Sequence, residues 1–492
     1  MLKIFNPEMS AWLKITIPLA LLLGMVGCND DSDSTSSGYL QLYNVSQNSP
    51  GLYLVIDDND DDDEEIVGAV YQGKVSSHIE LDAGSYDIEV AWPEDDELDD
   101  MTILSQTSST IVNDTIELIV FAEDVEEASL IHYSIPVVSD DDDEDDELFN
   151  LRLLNLNTNQ STIDIYMSKA DETFNESGMV AQLNYKDLTD NQKIDQDEYV
   201  FYITAEGSSE ILYQSEEIDF AYVGQFILAV RENDGIGESP YTVDLLSHYA
   251  LNYPDTNSIS RLSVYNAVTQ HEQIPEYSDQ VDVTLQSVGD VFTIENIAFE
   301  NFSLPLEVSS GDYSVKVSDS DSQSLLVENH LLSLEPNTDK TVFLYSLETE
   351  VDDDGDGDVD EDGDGVVDEY EVTLNSLVVE NSTSESIYEH QIKVVNLIDD
   401  FSSVSVYFVK SNENIETADY QLSASSLSEK NIYLKNNSYN VYVIAKDNTT
   451  DLILSYSILT LDENSNEQFL VLDESDSSDT GYSASFFAQQ RN

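Results

Sequence analysis

The chain has 492 residues, with 101 Asp and Glu against 17 Lys and Arg, a formal net charge of −84. A field of that sign repels nucleic acid and anionic lipid headgroups and excludes both as partners. Hydrophobic residues at 40%, with 28 Tyr and 16 Phe, exclude global disorder, and the length allows roughly three to four domains of ordinary size.

The first segment, MLKIFNPEMSAWLKITIPLALLLGMVGCND, sets Lys3 and Lys14 ahead of an apolar run at 15–26. That run is too short to span a bilayer and has the layout of a secretory signal. Its end, MVGC, resembles the bacterial lipobox, in which a cysteine after a small residue is lipidated and becomes the mature N-terminus; Met25 stands where leucine is usual. Cys28 is the only cysteine in the chain, so it is the expected lipidation site and disulfides are excluded, leaving stability to cores and ions. The expected order is a lipoprotein signal peptide over 1–27, a polar tether over 28–37, and membrane attachment through the lipid on Cys28. Asn29 follows the cysteine where aspartate would retain the protein at the inner membrane. The expected location is therefore the cell envelope, on the outer membrane.

Two markers then recur at one interval. Four strands end in asparagine, LQLYN at Asn44, LRLLN at Asn155, RLSVYN at Asn266 and IKVVN at Asn396, and four later strands carry a tyrosine near their start: GSYDIEV with Tyr86, DEYVFYI with Tyr199, GDYSVKV with Tyr313 and NSYNVYV with Tyr439. The separations are 42, 44, 47 and 43 residues, a spacing that marks internal repeats. Between and after the markers lie alternating apolar strands such as IDIYM and VDVTL, and each copy closes on IELIVF, QFILAV, TVFLY or QFLVL. Alternation with turn signals at short spacing predicts half-buried antiparallel strands, about seven per copy, hence an all-β chain of four tandem immunoglobulin-like β-sandwich repeats joined by acidic linkers. A tyrosine heading a strand fits a tyrosine corner and equally an ordinary aromatic on a core face; both readings stay open.

The repeat resembles a bacterial family known only as a domain of unknown function, whose tandem immunoglobulin-like copies occur in exported and lipid-anchored proteins. Asn155, the strand IDIYM and Tyr199 carry the match, although Asp197 stands where that family has glycine. The resemblance implies a fold and no chemistry. The boundaries expected are repeat one at 38–137, an acidic linker at 138–147, repeat two at 148–256, repeat three at 257–350, an Asp-rich linker at 351–371 and repeat four at 372–486, arranged as a rod.

Chemistry has few places to reside. The six histidines, at 78, 132, 248, 271, 330 and 390, show no paired-ligand spacing, and no nucleophile elbow or phosphate-cradling glycine loop is present. No enzyme is expected. The segment DLTDNQKIDQDE, 187–198, imitates a calcium loop but has Gln192 where glycine is needed, and it coincides with the strand leading to Tyr199. Acidic runs at 57–65, 95–100 and 140–147 lack glycine spacing and are expected to be solvated.

The stretch VDDDGDGDVDEDGDGVVDEYE, 351–371, is different, because its carboxylates keep the calcium-loop rule of Asp-x-Asp-x-Asp-Gly with Glu at position twelve. In the register that starts at Asp360, the ligands are Asp360, Asp362, Asp364, the Val366 carbonyl, Asp368 and Glu371 as the bidentate group. Strand-like flanks replace the paired helices of an EF-hand, and the segment is similar to the calcium-binding repeats of thrombospondin type three. Calcium is the implied ion, stiffening an interdomain linker. The function expected is a lipid-anchored binding, adhesion or structural protein, meeting protein or polysaccharide at the cell surface. The alternatives are an envelope protein that binds a sugar or peptide, signalled by aromatics around a cleft, and a carboxylate-based hydrolase, signalled by two close carboxylates in a pocket.

Overall fold

The computed structural model describes residues 36–57, 64–93, 101–138, 147–159, 162–351, 359, 367, 369–383, 386–447, 450–475 and 478–489. The signal segment, Cys28 and most of the acidic runs lie outside them. The described residues build eight sheets, two for each of four immunoglobulin-like sandwiches.

One plan is repeated four times. In sandwich three the antiparallel sheet runs Val291–Ala298, Gln280–Gln286, Gly311–Asp319, Leu325–Leu334 in spatial order. Val281, Val283 and Leu285 on one strand and Tyr313, Val315 and Val317 on its neighbour enter the core, as the period-two alternation of a half-buried strand requires. Facing it is a mixed sheet whose first strand, Ile259–Ala267, runs parallel to Asp339–Glu350. The same parallel pair recurs as Ser37–Asn44 with Thr115–Ala122, Leu148–Asn155 with Gln225–Glu232, and Glu389–Asn396 with Gln468–Glu474. Outside each pair lies a further antiparallel strand beyond the seven expected: Ser129–Pro136, Tyr241–Leu246, Tyr370–Glu380 and Tyr482–Ala488.

Both repeated markers have structural roles. Asn44, Asn155, Asn266 and Asn396 are all 0% exposed. Each Oδ1 accepts from the backbone N–H two residues on, at 3.0–3.2 Å. Each Nδ2 donates to a carbonyl of the opposing sheet, those of Val70, Leu183, Ile297 and Ala424, at 3.0–3.3 Å. The amide thus turns the chain out of its first strand and ties the two sheets across the core. The four tyrosines are tyrosine corners: their hydroxyls donate to the carbonyl four residues upstream, those of Asp82, Asp195, Ser309 and Lys435, at 2.6–2.9 Å.

The mixed sheets are buried on both faces, one against their own core and one against a neighbouring sandwich. Between sandwiches one and two, Tyr43, Leu118 and Val120 meet Leu154, Ile227 and Ala229. Between three and four, Tyr265, Phe302 and Phe343 meet Phe469, Val471 and Phe487, with ring centroids 5.0 Å apart for Phe302 and Phe487 and 5.3 Å for Phe343 and Phe469.

The four sandwiches do not form the expected rod. Sandwich two meets three where the Asn337 side chain donates to Asn233 Oδ1 at 2.8 Å and accepts from Gly237 N at 2.7 Å. A Cβ on Gly235 would collide with Asn337, so this approach needs glycine. Sandwich four returns to one, where Trp92 packs on Tyr388 at 5.1 Å, Tyr71 stacks on Tyr433 at 5.2 Å, and Gly51 N donates to Glu389 Oε1 at 2.8 Å. Every sandwich therefore contacts two others and the array closes on itself.

Candidate functional site

The Asp-rich stretch is not an interdomain linker. Strands Asp339–Glu350 and Tyr370–Glu380 pair antiparallel from Lys340↔Glu380 through Glu350↔Tyr370, and Val351 N donates to Glu369 O at 3.0 Å. The stretch is therefore the end of a hairpin within sandwich three, and the segment VTLNSLVVE, expected to open repeat four, belongs to repeat three. The reason is local: Leu374 enters the core of sandwich three, and Leu377 and Val379 face the seam with sandwich four. The first strand of sandwich four is Glu389–Asn396.

Gln273 pins the outgoing strand, donating from Nε2 to Tyr370 O and accepting from Val372 N at 3.0 Å. Of the expected ligands, Glu371 is exposed in that strand, opposite Thr349. Asp360, Asp362, Asp364, Val366 and Asp368 lie outside the described residues. The donor set fits a hard divalent cation, since carboxylate and carbonyl oxygens alone suit calcium and exclude thiophilic metals.

Sandwich four places more carboxylates near the hairpin's base. Oxygens of Asp399, Asp400 and Glu474 lie within 4.8 Å of one another. Burial, then the neighbouring Asp400 and Asp399, then Glu348 on the hairpin's ingoing strand, push the Glu474 carboxyl up to about 7. Tyr482 donates its hydroxyl to Asp400 Oδ2 at 2.5 Å. One residue back, Asp473 is 5% exposed and is pushed up to about 8, first by burial and further by Glu300 and Glu474. Its Oδ2 has no hydrogen-bond partner among the described residues. Residues 473 and 474 face opposite sides of their strand, so these are two separate clusters. Asp473, 5% exposed, is walled off from any substrate.

The decoy at 187–198 directs its donors into the protein: Asp187 accepts from Asn184 N at 2.8 Å and Thr189 Oγ1 from Leu153 N at 2.9 Å. Among the histidines, His132 pairs with Glu117 at 3.0 Å and His390 with Asn436 at 2.8 Å. His78 and His248, 170 residues apart, come together across the seam of sandwiches one and two with ring centroids 4.3 Å apart, a meeting that no local spacing announces.

No family model and no curated protein matches the chain. Among solved structures it is similar to the Bacillus anthracis TIE protein, at 8% identity and TM-score 0.15, covering 89% of this chain and 68% of that one. A DUF3823 family protein from Bacteroides ovatus matches at 11% identity and TM-score 0.13, over 41% of this chain and 99% of that one. A streptococcal ancillary pilin matches at 7% identity and TM-score 0.14, over 66% of this chain and 98% of that one. Likeness at this level carries no conclusion about function.

Proposed function

We propose that the chain is an exported, lipid-anchored binding or adhesion protein of a bacterial cell surface, built as a closed scaffold of four β-sandwiches and carrying a calcium-binding hairpin. The observation behind this reading is the closure itself. Four sandwiches joined through two apolar seams and closed by aromatic and polar contacts make one body, whose hairpin ends and clefts are the parts left to meet a partner. Stiffness suits recognition, because a preorganised surface loses less conformational entropy on binding. The lipobox-like end at Cys28 supplies the anchor.

Calcium belongs to the hairpin between Glu350 and Tyr370, held by Asp360, Asp362, Asp364, the Val366 carbonyl, Asp368 and Glu371, with affinity on the order of 10⁻⁴ to 10⁻³ M, as in extracellular modules. Both ends of the segment are joined by the strand ladder, so the ion would be held within one sandwich rather than between two.

Two measurements test the reading. In cells, Cys28→Ser abolishes palmitate incorporation and releases the protein from the surface; labelling that survives the change refutes the anchor. In calorimetry, the full chain takes up calcium in preference to magnesium at equal ionic strength, and Glu371→Gln weakens calcium binding at least tenfold. Equal responses to both ions, with no effect of Glu371→Gln, reduce the stretch to a solvated acidic loop.

A further inference from the structure

The seam between sandwiches one and two opens at one end into a cleft of about 440 Å³. Its size falls in the range, roughly 300–1,000 Å³, of small-ligand sites. Aromatic rings from both sandwiches border it: Tyr39 and His78 on one side, Tyr222, Phe226, His248 and Tyr249 on the other. Tyr222 and Tyr249 are 57% and 53% exposed, so their ring faces are available to a ligand.

The walls are fixed before anything binds. Gln41, 2% exposed, donates to the carbonyls of Ser76 in sandwich one at 3.0 Å and Ser247 in sandwich two at 2.6 Å, locking the turn that carries His248 and Tyr249. On the opposite rim Gln225 donates to Pro136 O and accepts from Val138 N, both at 3.1 Å.

Charge selects the ligand. Among the described residues, none of the sixteen that line the cleft is Asp, Glu, Lys or Arg, in a chain where these types make up 24%. This lining is uncharged in a chain of net charge −84. An anionic ligand finds no counter-charge in it and repulsion outside, and a cation finds no carboxylate among these sixteen residues to replace its hydration. The polar groups on offer include hydroxyls, amides and imidazoles, and burial and the neighbouring His248 depress the His78 imidazole, which keeps it neutral at physiological pH. Uncharged donors and acceptors set among exposed π-faces match a molecule that alternates hydroxyls with C–H surface.

We propose that this cleft binds a neutral glycan, stacking sugar C–H faces on Tyr222 and Tyr249 and hydrogen-bonding hydroxyls to His78, His248 and Ser247. The proposal rests on the reading of the chain as a surface binding protein and gives that reading its ligand class.

The test is calorimetry and saturation-transfer NMR on the full chain, with neutral gluco-, manno- and galacto-oligosaccharides of two to six residues. A sialylated oligosaccharide and choline serve as anionic and cationic comparators. At least one neutral oligosaccharide should bind saturably, and Tyr222→Ala with Tyr249→Ala should lower its affinity tenfold or more. Both rings are more than half exposed, so the urea midpoint of the double variant should equal that of the parent; a variant that fails this control is replaced by His248→Ala, with the same loss expected. Absence of saturable binding to every neutral glycan, binding that both sets of substitutions leave unchanged, or tighter binding of choline or the sialylated glycan overturns the assignment. Adhesion of cells displaying the chain separates the two readings. Adhesion that persists in the Tyr222 and Tyr249 double variant overturns the cleft and leaves the surface-binding function standing, whereas parent cells that neither display the chain nor adhere overturn the function itself.

Discussion

Asp244 is the residue on which the seam between sandwiches one and two most depends. Its side chain is 0% exposed. Oδ2 accepts from Tyr43 of the neighbouring sandwich at 2.6 Å and from Arg231 Nε at 2.7 Å, and Oδ1 accepts from Asn252 at 2.7 Å. Asp244→Ala removes all three bonds at once. Breaking a buried ion pair from one side costs about 3–5 kcal/mol, because the surviving charge stays desolvated. Here Arg231 keeps Asp234, at 2.9 Å from NH1, which argues for the lower end. The orphaned Tyr43 hydroxyl, at a residue 0% exposed, adds about 1–3 kcal/mol. The expected loss is about 4–6 kcal/mol.

The matched experiment replaces the whole network with apolar groups of similar size: Asp244→Leu, Arg231→Met and Tyr43→Phe together. Since the two fully buried charges then leave together, and Asp234, 23% exposed, keeps Gln72 as a donor, the triple variant should lie within about 2 kcal/mol of the parent. Urea unfolding followed by far-UV circular dichroism gives the totals. Hydrogen exchange in Ser37–Asn44 and Tyr241–Leu246 shows whether the seam opens before either sandwich unfolds, which guards against reading a multi-domain transition as one step. A single variant that costs less than about 1 kcal/mol, or a triple variant as damaged as the single, refutes this account of the seam.

Three further outcomes follow from the repeated markers and the buried acids. Tyr313→Phe removes only the hydroxyl bond to Ser309 O and should cost about 1 kcal/mol, with Tyr86, Tyr199 and Tyr439 behaving alike; urea midpoints check both the size and the equality. Asn266→Asp keeps the shape but puts a charge at a 0% exposed site and removes the donor to Ile297 O, so it should cost more than Asn266→Ala in the same assay. Asp473 has its folded-state carboxyl at about 8, against roughly 3.9 when unfolded. Between those values the folded state holds more protons, so stability is highest below the lower value and is lost as pH rises through the upper one. Asp473→Asn should therefore stabilise by roughly 2 kcal/mol at pH 8.5 and change little at pH 4, read as the difference in thermal midpoint between variant and parent.

The repeat was legible because its markers cannot be exchanged without a buried orphan. An asparagine that serves one sheet with Oδ1 and the other with Nδ2 has no substitute, and a tyrosine whose hydroxyl must reach four residues upstream has none either. Alternation in Gln280–Gln286 and Gly311–Asp319 likewise announced one-sided burial. The side-by-side pairing of sandwiches has its signal in the sequence. Thr115–Ala122 and Gln225–Glu232 are apolar without alternation and buried residue after residue, the pattern of strands covered on both faces. A second covered face means a neighbour, which accounts for the seams of one with two and of three with four; closure rests instead on contacts such as Asn337 with Asn233 and Tyr71 with Tyr433, which no local pattern announces. The boundary after 350 was misplaced because acidic composition reads as a linker, whereas the strand ladder that closes around it is non-local. The aromatic cleft was illegible for the same reason, its two walls being 84 or more residues apart along the chain, from Val138 to Tyr222.

The few positive charges explain how so acidic a chain holds together. Arg152, Arg231, Arg261, Lys393 and Lys435 are each less than 10% exposed, out of 17 Lys and Arg in all. Arg261 locks Asp339, with Nε at 2.9 Å, while Asn381 donates to the same carboxylate at 2.8 Å. This fastens the parallel pair Ile259–Ala267 and Asp339–Glu350 to the end of the outer strand Tyr370–Glu380. With these cations drawn inward, the outside keeps few positive charges among its many carboxylates. That surface protects edge strands that would otherwise invite pairing, such as Thr450–Thr460, where Ile453, Tyr456 and Ile458 are all more than half exposed. Copies of the chain repel one another before such edges can meet. The same field discourages acidic polymers, so at the seam of sandwiches one and two, where the described lining carries no Asp, Glu, Lys or Arg, a neutral ligand would meet shape and hydrogen bonding before charge.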